Sequence, residues 1–119
     1  MIVAMDVTLA EESLSGSWLS TRLGVGPQRL DAMRRAGELL GVRRPGGHDF
    51  LYPAWQFAPD GKPLPVIERL VRTGRGAGLS DERLYEVLAA RTGISGDARL
   101  ADAVREGKDE YVLSVVRAA

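Results

Sequence analysis

Gln28, Arg29, Asp31, Ala32 and Arg35 carry the functional groups with the most to offer a ligand. If residues 27–36 form a helix, a step of about 100° per residue puts Gln28, Asp31, Ala32 and Arg35 on one face, with Arg29 beside it. Leu30 and Met33 then point the other way, toward a core. Glutamine pairs bidentately with adenine and arginine with guanine, while a carboxylate accepts from the cytosine amino group. Ala32 lets a backbone approach closely or touches a thymine methyl. Asp31 and Arg35 are spaced to form an i, i+4 ion pair. An ordinary amphipathic surface helix has the same periodicity, so the weight comes from the elements around it.

A second group, Arg43, Arg44 and His48, surrounds Pro45-Gly46-Gly47, a strong turn signal. Guanidinium groups at the tip of such a turn rest on phosphates and position a protein without reading sequence. A solvent-exposed hairpin with incidental arginines has the same composition. His48 is the only histidine and there are no cysteines, so a metal site is not expected and a turn residue in reach of phosphate is the better reading.

Other chemistries find little support. Absent cysteine excludes disulfides, thiolate catalysis and Cys-based zinc sites. The pairs Asp81/Glu82 and Asp109/Glu110 fall in first turns of helices, where the helix dipole accounts for them. The run Gly74-Arg75-Gly76-Ala77-Gly78 lacks both the following Lys-Ser/Thr and the preceding strand of a phosphate loop. Trp55 and Phe57 read as packing residues rather than a stacking platform. No catalytic residue, metal or cofactor is expected, and the chain does not read as an enzyme.

The 119 residues are 45% hydrophobic and 27% charged, which suits one compact domain or two small subdomains sharing a core. Sixteen basic residues balance sixteen acidic ones, so overall charge does not call for a polyanion. Between Thr21 and Tyr52, however, Arg22, Arg29, Arg34, Arg35, Arg43 and Arg44 face only Asp31, Glu38 and Asp49. A local basic face is all that counterion release requires. No apolar run approaches the roughly 20 residues of a membrane span. The first ten residues are too short and too acidic for a signal peptide, and a cytoplasmic location is expected.

The elements that must hold these groups follow from caps and breakers. Residues 1–16 read as an arm or lead-in, in which Ile2, Val3 and Val7 suit a short strand and Thr8 caps a helical turn through Leu14. Ser17 is a good N-cap for a helix from Trp18 to Leu23, which Gly24 ends. Pro27 opens the second helix, with Gly37 as its stop. Residues 38–43 and 49–52 suit the two strands of a wing tipped by Arg43 and Arg44, and Pro53 ends the second. Residues 59–63 form a turn and a hinge. Helices follow over 64–73, from a Ser80 cap to Thr92-Gly93, over 98–106 and over 108–118, with 74–78 as a flexible link. The expected fold is mainly α with a small β-hairpin wing: a winged helix-turn-helix over 17–58, then a helical subdomain over 59–119 for partner binding or dimerisation.

The N-terminal half resembles the MerR/excisionase type of winged helix in Leu19 to Val25 (LSTRLGV), Leu30, Gly37-Glu38-Leu39 and Phe50-Leu51-Tyr52-Pro53. The second half looks like the toxin-binding region of Xre/MbcA/ParS-type antitoxins. Tyr52-Pro53-Ala54-Trp55-Gln56-Phe57, Asp60-Gly61-Lys62-Pro63 and the stretch from Arg99 to Gly107 carry that likeness. The resemblance implies a small protein that binds double-stranded DNA and represses its own operon. Its C-terminal helices would grip a partner, in that family usually a NAD-consuming toxin with a RES domain. Dimerisation through those helices would match a palindromic operator. The expectation is therefore a sequence-specific transcriptional regulator of the antitoxin kind. The alternative is a protein-interaction module, a toxin-neutralising antitoxin or adaptor, with little DNA binding.

Overall fold

The computed structural model describes residues 12–43, 46–92 and 98–119. Arg44 and the arm residues 1–11, with the strand and the Thr8 cap expected there, lie outside the described residues. The structure is mainly α with a small β wing, as the sequence leads one to expect.

Helix α1 spans Gly16–Leu23 and is capped by Ser15, not by Ser17: the Ser15 hydroxyl oxygen accepts from the Trp18 N–H at 3.1 Å. Gly24 ends it at φ 70°, a left-handed conformation that suits a residue without Cβ. The Ser20 hydroxyl donates to the Val25 carbonyl and fastens the tight turn. Helix α2 spans Pro27–Arg35, with proline in its first turn where no N–H is needed. Gly37 follows at φ 84° and turns the chain toward the wing.

The wing belongs to a three-stranded antiparallel sheet of order β1-β3-β2, comprising β1 Ser13–Ser15, β2 Val42–Arg43 and β3 Phe50–Pro53. The third strand comes from the lead-in, where a helical turn through Leu14 was expected. Ser13 pairs with Pro53, and Leu14 with Tyr52, along the far edge of β3. A backbone with an open strand edge recruits what lies beside it. Pro53 is the last residue of β3 rather than the residue that stops it.

A 3-10 turn over Ala54–Gln56 leads to a closed turn at the expected hinge. There the Ala58 N–H donates to the Lys62 carbonyl and the Gly61 N–H to the Ala58 carbonyl, both at 2.8 Å. Helix α3 (Pro65–Gly76) continues through much of the expected flexible link. Gly74 is buried, and a Cβ there would lie 3.3 Å from Leu84 of helix α4 (Asp81–Ala89). The glycines at 74 and 76 thus sit inside a helix, the first because α4 packs close. Ser80 caps α4 as expected, accepting from the Arg83 N–H at 3.0 Å. After α4, β4 (Arg91–Thr92) pairs with β5 (Ala98–Arg99), and helices α5 (Leu100–Arg105) and α6 (Asp109–Ala118) complete the chain.

Two apolar clusters result. Leu19, Leu30, Leu39, Tyr52 and Phe57 form the smaller one under α1, α2 and the sheet. The larger one joins Leu40, Val42 and Trp55 to the inward faces of α3 to α6. The chain passes from the smaller core to the larger at Leu39-Leu40 and from the larger to the smaller at Trp55-Gln56-Phe57. Gln56 is fully buried at the second crossing. Its side-chain oxygen accepts from the Leu40 N–H at 2.8 Å and its NH2 donates to the Leu40 carbonyl at 2.8 Å and the Pro53 carbonyl at 3.1 Å.

Arg99 joins the N-terminal segment to α5 by donating to both Glu12 oxygens, at 2.6 and 2.8 Å. Nearby Tyr85 is buried, and its hydroxyl has no hydrogen-bond partner among the described residues. Burial, reinforced by the Glu12 carboxylate and opposed by Arg99, pushes that hydroxyl up to about 12.

Two predictions follow from this packing. Gln56→Leu strands the Leu40 N–H and carbonyl in the interior and should cost about 3 kcal/mol of stability, read as a lowered urea midpoint with unchanged slope. Tyr85 gives a pH signature. Its unfolded phenol ionises near about 10, so between there and its folded value the native state keeps a proton that the unfolded chain has lost. Stability from this group is complete below about pH 10 and falls as pH rises toward the folded value. Tyr85→Phe should flatten that decline and leave stability at neutral pH equal or slightly higher, since it removes a buried hydroxyl that has no partner among the described residues. Urea titrations across this pH range check both statements.

Candidate nucleic-acid interface

Helix α2 is held down by Leu30, which is 3% exposed, and by Met33 packed against the same cluster. Gln28, Arg29, Asp31 and Arg35 are exposed and Ala32 is half-buried. The periodicity argument thus places these five side chains as expected, on the side of α2 away from the core. Arg43 is exposed and ends β2 opposite Phe50, the last rung of the ladder before the turn. His48 is exposed on that turn.

A groove of about 580 Å³ runs between α2, the start of α1 and the wing. Asp31 and Arg34 line its α2 side, Gly47, His48 and Phe50 its wing side, and Ser15 and Ser17 the α1 side. Of the expected site residues, Asp31 and His48 meet in this groove. Gln28, Arg29, Ala32 and Arg35 lie on α2 outside it, and Arg43 lies at the strand end beside Phe50.

Arg34, which sequence reasoning counted only as local charge, turns out to join helix and wing. Its guanidinium carbon sits 3.6 Å from the centre of the Phe50 ring, and Arg43 approaches the same ring at 5.1 Å. Cation–π attraction at such distances strengthens as the groups are desolvated, and the Arg34 side chain is only 15% exposed. The ion pair expected between Asp31 and Arg35 is not the one formed. The Asp31 carboxylate pairs with Arg34 at 3.3 Å, while Arg35 donates from Nε to the Asp31 backbone carbonyl at 3.4 Å. Arg34 is drawn toward the wing by Phe50 and so passes Asp31 on the way.

Below this contact lies the fully buried ring of Tyr52. Burial raises its hydroxyl above the usual tyrosine value, partly offset by hydrogen bonding and charge from Arg34. Phe50 and Tyr52 sit two apart on one face of β3, while Leu51 on the other face packs against the larger core. The alternation Phe-Leu-Tyr beside a buried Gly41 was the available signal for this contact. A Cβ at Gly41 would lie 2.7 Å from Cδ of Arg34 and 2.8 Å from Cε1 of Tyr52.

The same C-terminal end of α2 is met by another residue that sequence reasoning passed over. Arg75 of α3 donates to the backbone carbonyls of Arg35 at 2.8 Å and Arg34 at 3.1 Å. It also binds both oxygens of Asp81, at 3.1 and 2.9 Å. The bond to Asp81 raises the Arg75 pKa further, against an opposing effect of burial.

These features define a winged helix-turn-helix in which the second helix and the wing share one groove. Compared with known proteins, the chain is similar to Rv2175c, known from an NMR structure, with a TM-score of 0.76 at 21% sequence identity. The likeness covers 89% of this chain and 79% of that one and concerns the fold. No protein-family model matches the chain and no curated protein matches it. No helix among the described residues is long and apolar enough to cross a membrane.

Gly41→Ala should wedge Arg34 and Tyr52 apart and cost about 1–3 kcal/mol, as overpacking of a tight site does. Urea denaturation measures the cost, and loss of the ring-current shift that Phe50 imposes on the Arg34 side-chain protons reports the broken contact. Wild-type stability with that shift intact would show that the site has room to spare.

Proposed function

We propose that this protein is a sequence-specific regulator that binds double-stranded DNA, with α2 in the major groove and the wing against the backbone. The observation that carries the reading is the exposed set Gln28, Arg29, Asp31 and Arg35, with half-buried Ala32 among them, on a helix whose opposite face is anchored by Leu30. In this reading the amide and guanidinium groups meet base edges. Arg43 and His48 meet phosphates or the minor-groove edge, a role the sequence also assigns to Arg44. Asp31 penalises a phosphate nearby and so favours docking registers in which its carboxylate meets a donor. The protein is read as a cytoplasmic autorepressor of the antitoxin kind, without catalytic residues or cofactor, acting as a homodimer on a palindromic site. A toxin with a RES domain is the partner suggested by resemblance for the C-terminal helices.

One observation favours the second reading, a protein-interaction module. Tyr111 is 57% exposed on α6 and, with Leu100 and Ala103, borders a cleft rimmed by Arg99, Asp102, Glu106 and Lys108. An exposed aromatic at an apolar cleft with a polar rim has the make-up of a protein contact. Purification with a stoichiometric protein partner and no preference among DNA duplexes would establish that reading instead.

The test is an anisotropy titration against DNA from the protein's own promoter region, with a scrambled duplex as control, at two salt concentrations. Salt-dependent binding that prefers the promoter is expected, and equal or absent binding at moderate salt would overturn the proposal. Arg35→Ala should cost about 1–3 kcal/mol on the preferred duplex and relax sequence preference. Arg43→Ala should weaken both duplexes about equally and reduce the salt slope by about one. A sequence-selective loss from Arg43→Ala would contradict its backbone role.

A further inference from the structure

The last turn of a helix leaves its carbonyls without intrahelical partners. In α2 two of the last-turn carbonyls belong to Arg34 and Arg35, and both accept from one guanidinium, that of Arg75 in the C-terminal helices, the Arg34 carbonyl alongside the Gly37 N–H. The same guanidinium is gripped from the other side by both oxygens of Asp81, whose side chain is 17% exposed in the first turn of α4. Four hydrogen bonds between 2.8 and 3.1 Å therefore fix one planar group between two helices. Arginine can do this because its N–H groups form a rigid fork, whereas a lysine ammonium is a point charge that cannot span the same acceptors. On the Gly37 side the guanidinium packs closely: a Cβ on Gly37 would lie 3.3 Å from Arg75 Nη1 and 3.5 Å from Val71 Cγ1.

What the clamp holds is informative. It grips the backbone of Arg34, whose side chain stacks on the wing, and of Arg35, whose side chain faces outward on α2. A cation at a helix C-terminus is favoured by the dipole, and here the guanidinium, on a side chain 37% exposed, is paired with Asp81.

We propose that Arg75, locked by Asp81, is a positioning residue for DNA reading: it fixes the C-terminal end of α2 to the C-terminal helices and so sets where Arg34 and Arg35 stand. This rests on the DNA-binding reading above. A functional side chain held by a second layer of contacts loses precision before it loses contact when that layer is removed. Removal of Arg75 should then erode discrimination between sequences, not general attraction to DNA.

The experiment uses the full chain as wild type, Arg75→Lys, Arg75→Gln and Asp81→Asn. The first readout needs no DNA: amide exchange by NMR at Ala36, Gly37 and Glu38, whose N–H groups close the end of α2 onto Ala32, Arg34 and Met33. Exchange there should quicken about tenfold in all three variants through local opening, while the Leu70 and Val112 amides keep wild-type protection. The second readout is affinity for a duplex selected by wild-type protein from a random pool, against a scrambled duplex, at several salt concentrations. The ratio of the two affinities should fall about tenfold with the salt slope unchanged, because no phosphate contact is lost.

Wild-type exchange and a wild-type ratio in Arg75→Gln and Asp81→Asn would overturn the proposal. So would an equal loss on both duplexes with a slope reduced by about one, which marks a direct phosphate contact. If Arg75→Gln does not fold, Asp81→Asn, which keeps the guanidinium and loosens its anchor, decides the matter by the same criteria. Wild-type protein that binds no duplex overturns the DNA reading itself. The exchange measurement distinguishes that failure from failure of the clamp.

Discussion

Gln56, fully buried, closes a backbone-like pair with Leu40. Everything else in the structure is arranged around that junction. Leu39 and Phe57 drop into the smaller core, Leu40 and Trp55 into the larger, and the amide between Trp55 and Phe57 bonds to the residue where the other strand of chain makes the same crossing. A hydrophobic residue at 56 would fill the space but leave Leu40 unpaired, and an unpaired buried peptide group costs more than a packed methyl returns. The pairing fixes the direction in which the chain leaves α2 and enters β2. The wing therefore inherits its position from a side chain in the turn that follows it.

From that junction the groove takes its shape. β3 offers Phe50 and Tyr52 to α2 and Leu51 to the C-terminal core, so the wing strand is shared between both halves of the molecule. Arg34 then bridges α2 to the wing, and Arg75 bridges α2 to α3 and α4. The last turn of α2 is thus supported by an aromatic ring under the Arg34 side chain and by a guanidinium on its carbonyls. Rigid support for a short helix of nine residues matters, because such a helix has little stability of its own.

Local signals in the sequence were legible where a single residue type has few conformational options. Pro27 could only start a helix, Gly24 and Gly37 ended helices at positive φ, and Ser80 capped α4. The outward set on α2 followed from periodicity alone. The sequence places the cap two residues late, at Ser17; it is Ser15, three positions before Trp18, that accepts from the Trp18 N–H. Ambiguity arose where glycine had two meanings: Gly74 looks like a flexible link but serves close packing against Leu84. Long-range pairings were not legible. Nothing local to Ser13–Ser15, Gln56 or Arg75 announces a partner 16 to 41 residues away, because those partners are chosen by unsatisfied backbone groups that exist only once the fold does. The ion pair of Asp31 went to Arg34 rather than Arg35 for the same reason: the Phe50 ring that draws Arg34 across comes from a strand distant in sequence.

Whether α2 and the wing form one DNA-binding face is tested most directly by an NMR titration of the labelled protein with its promoter duplex. Shifts concentrated at Gln28, Arg29, Ala32 and Arg35, at the wing turn around His48 and at Ser15 to Ser17, with α5 and α6 unmoved, are the predicted result. Shifts confined to α5 and α6, or none at all under conditions of low salt, would contradict it.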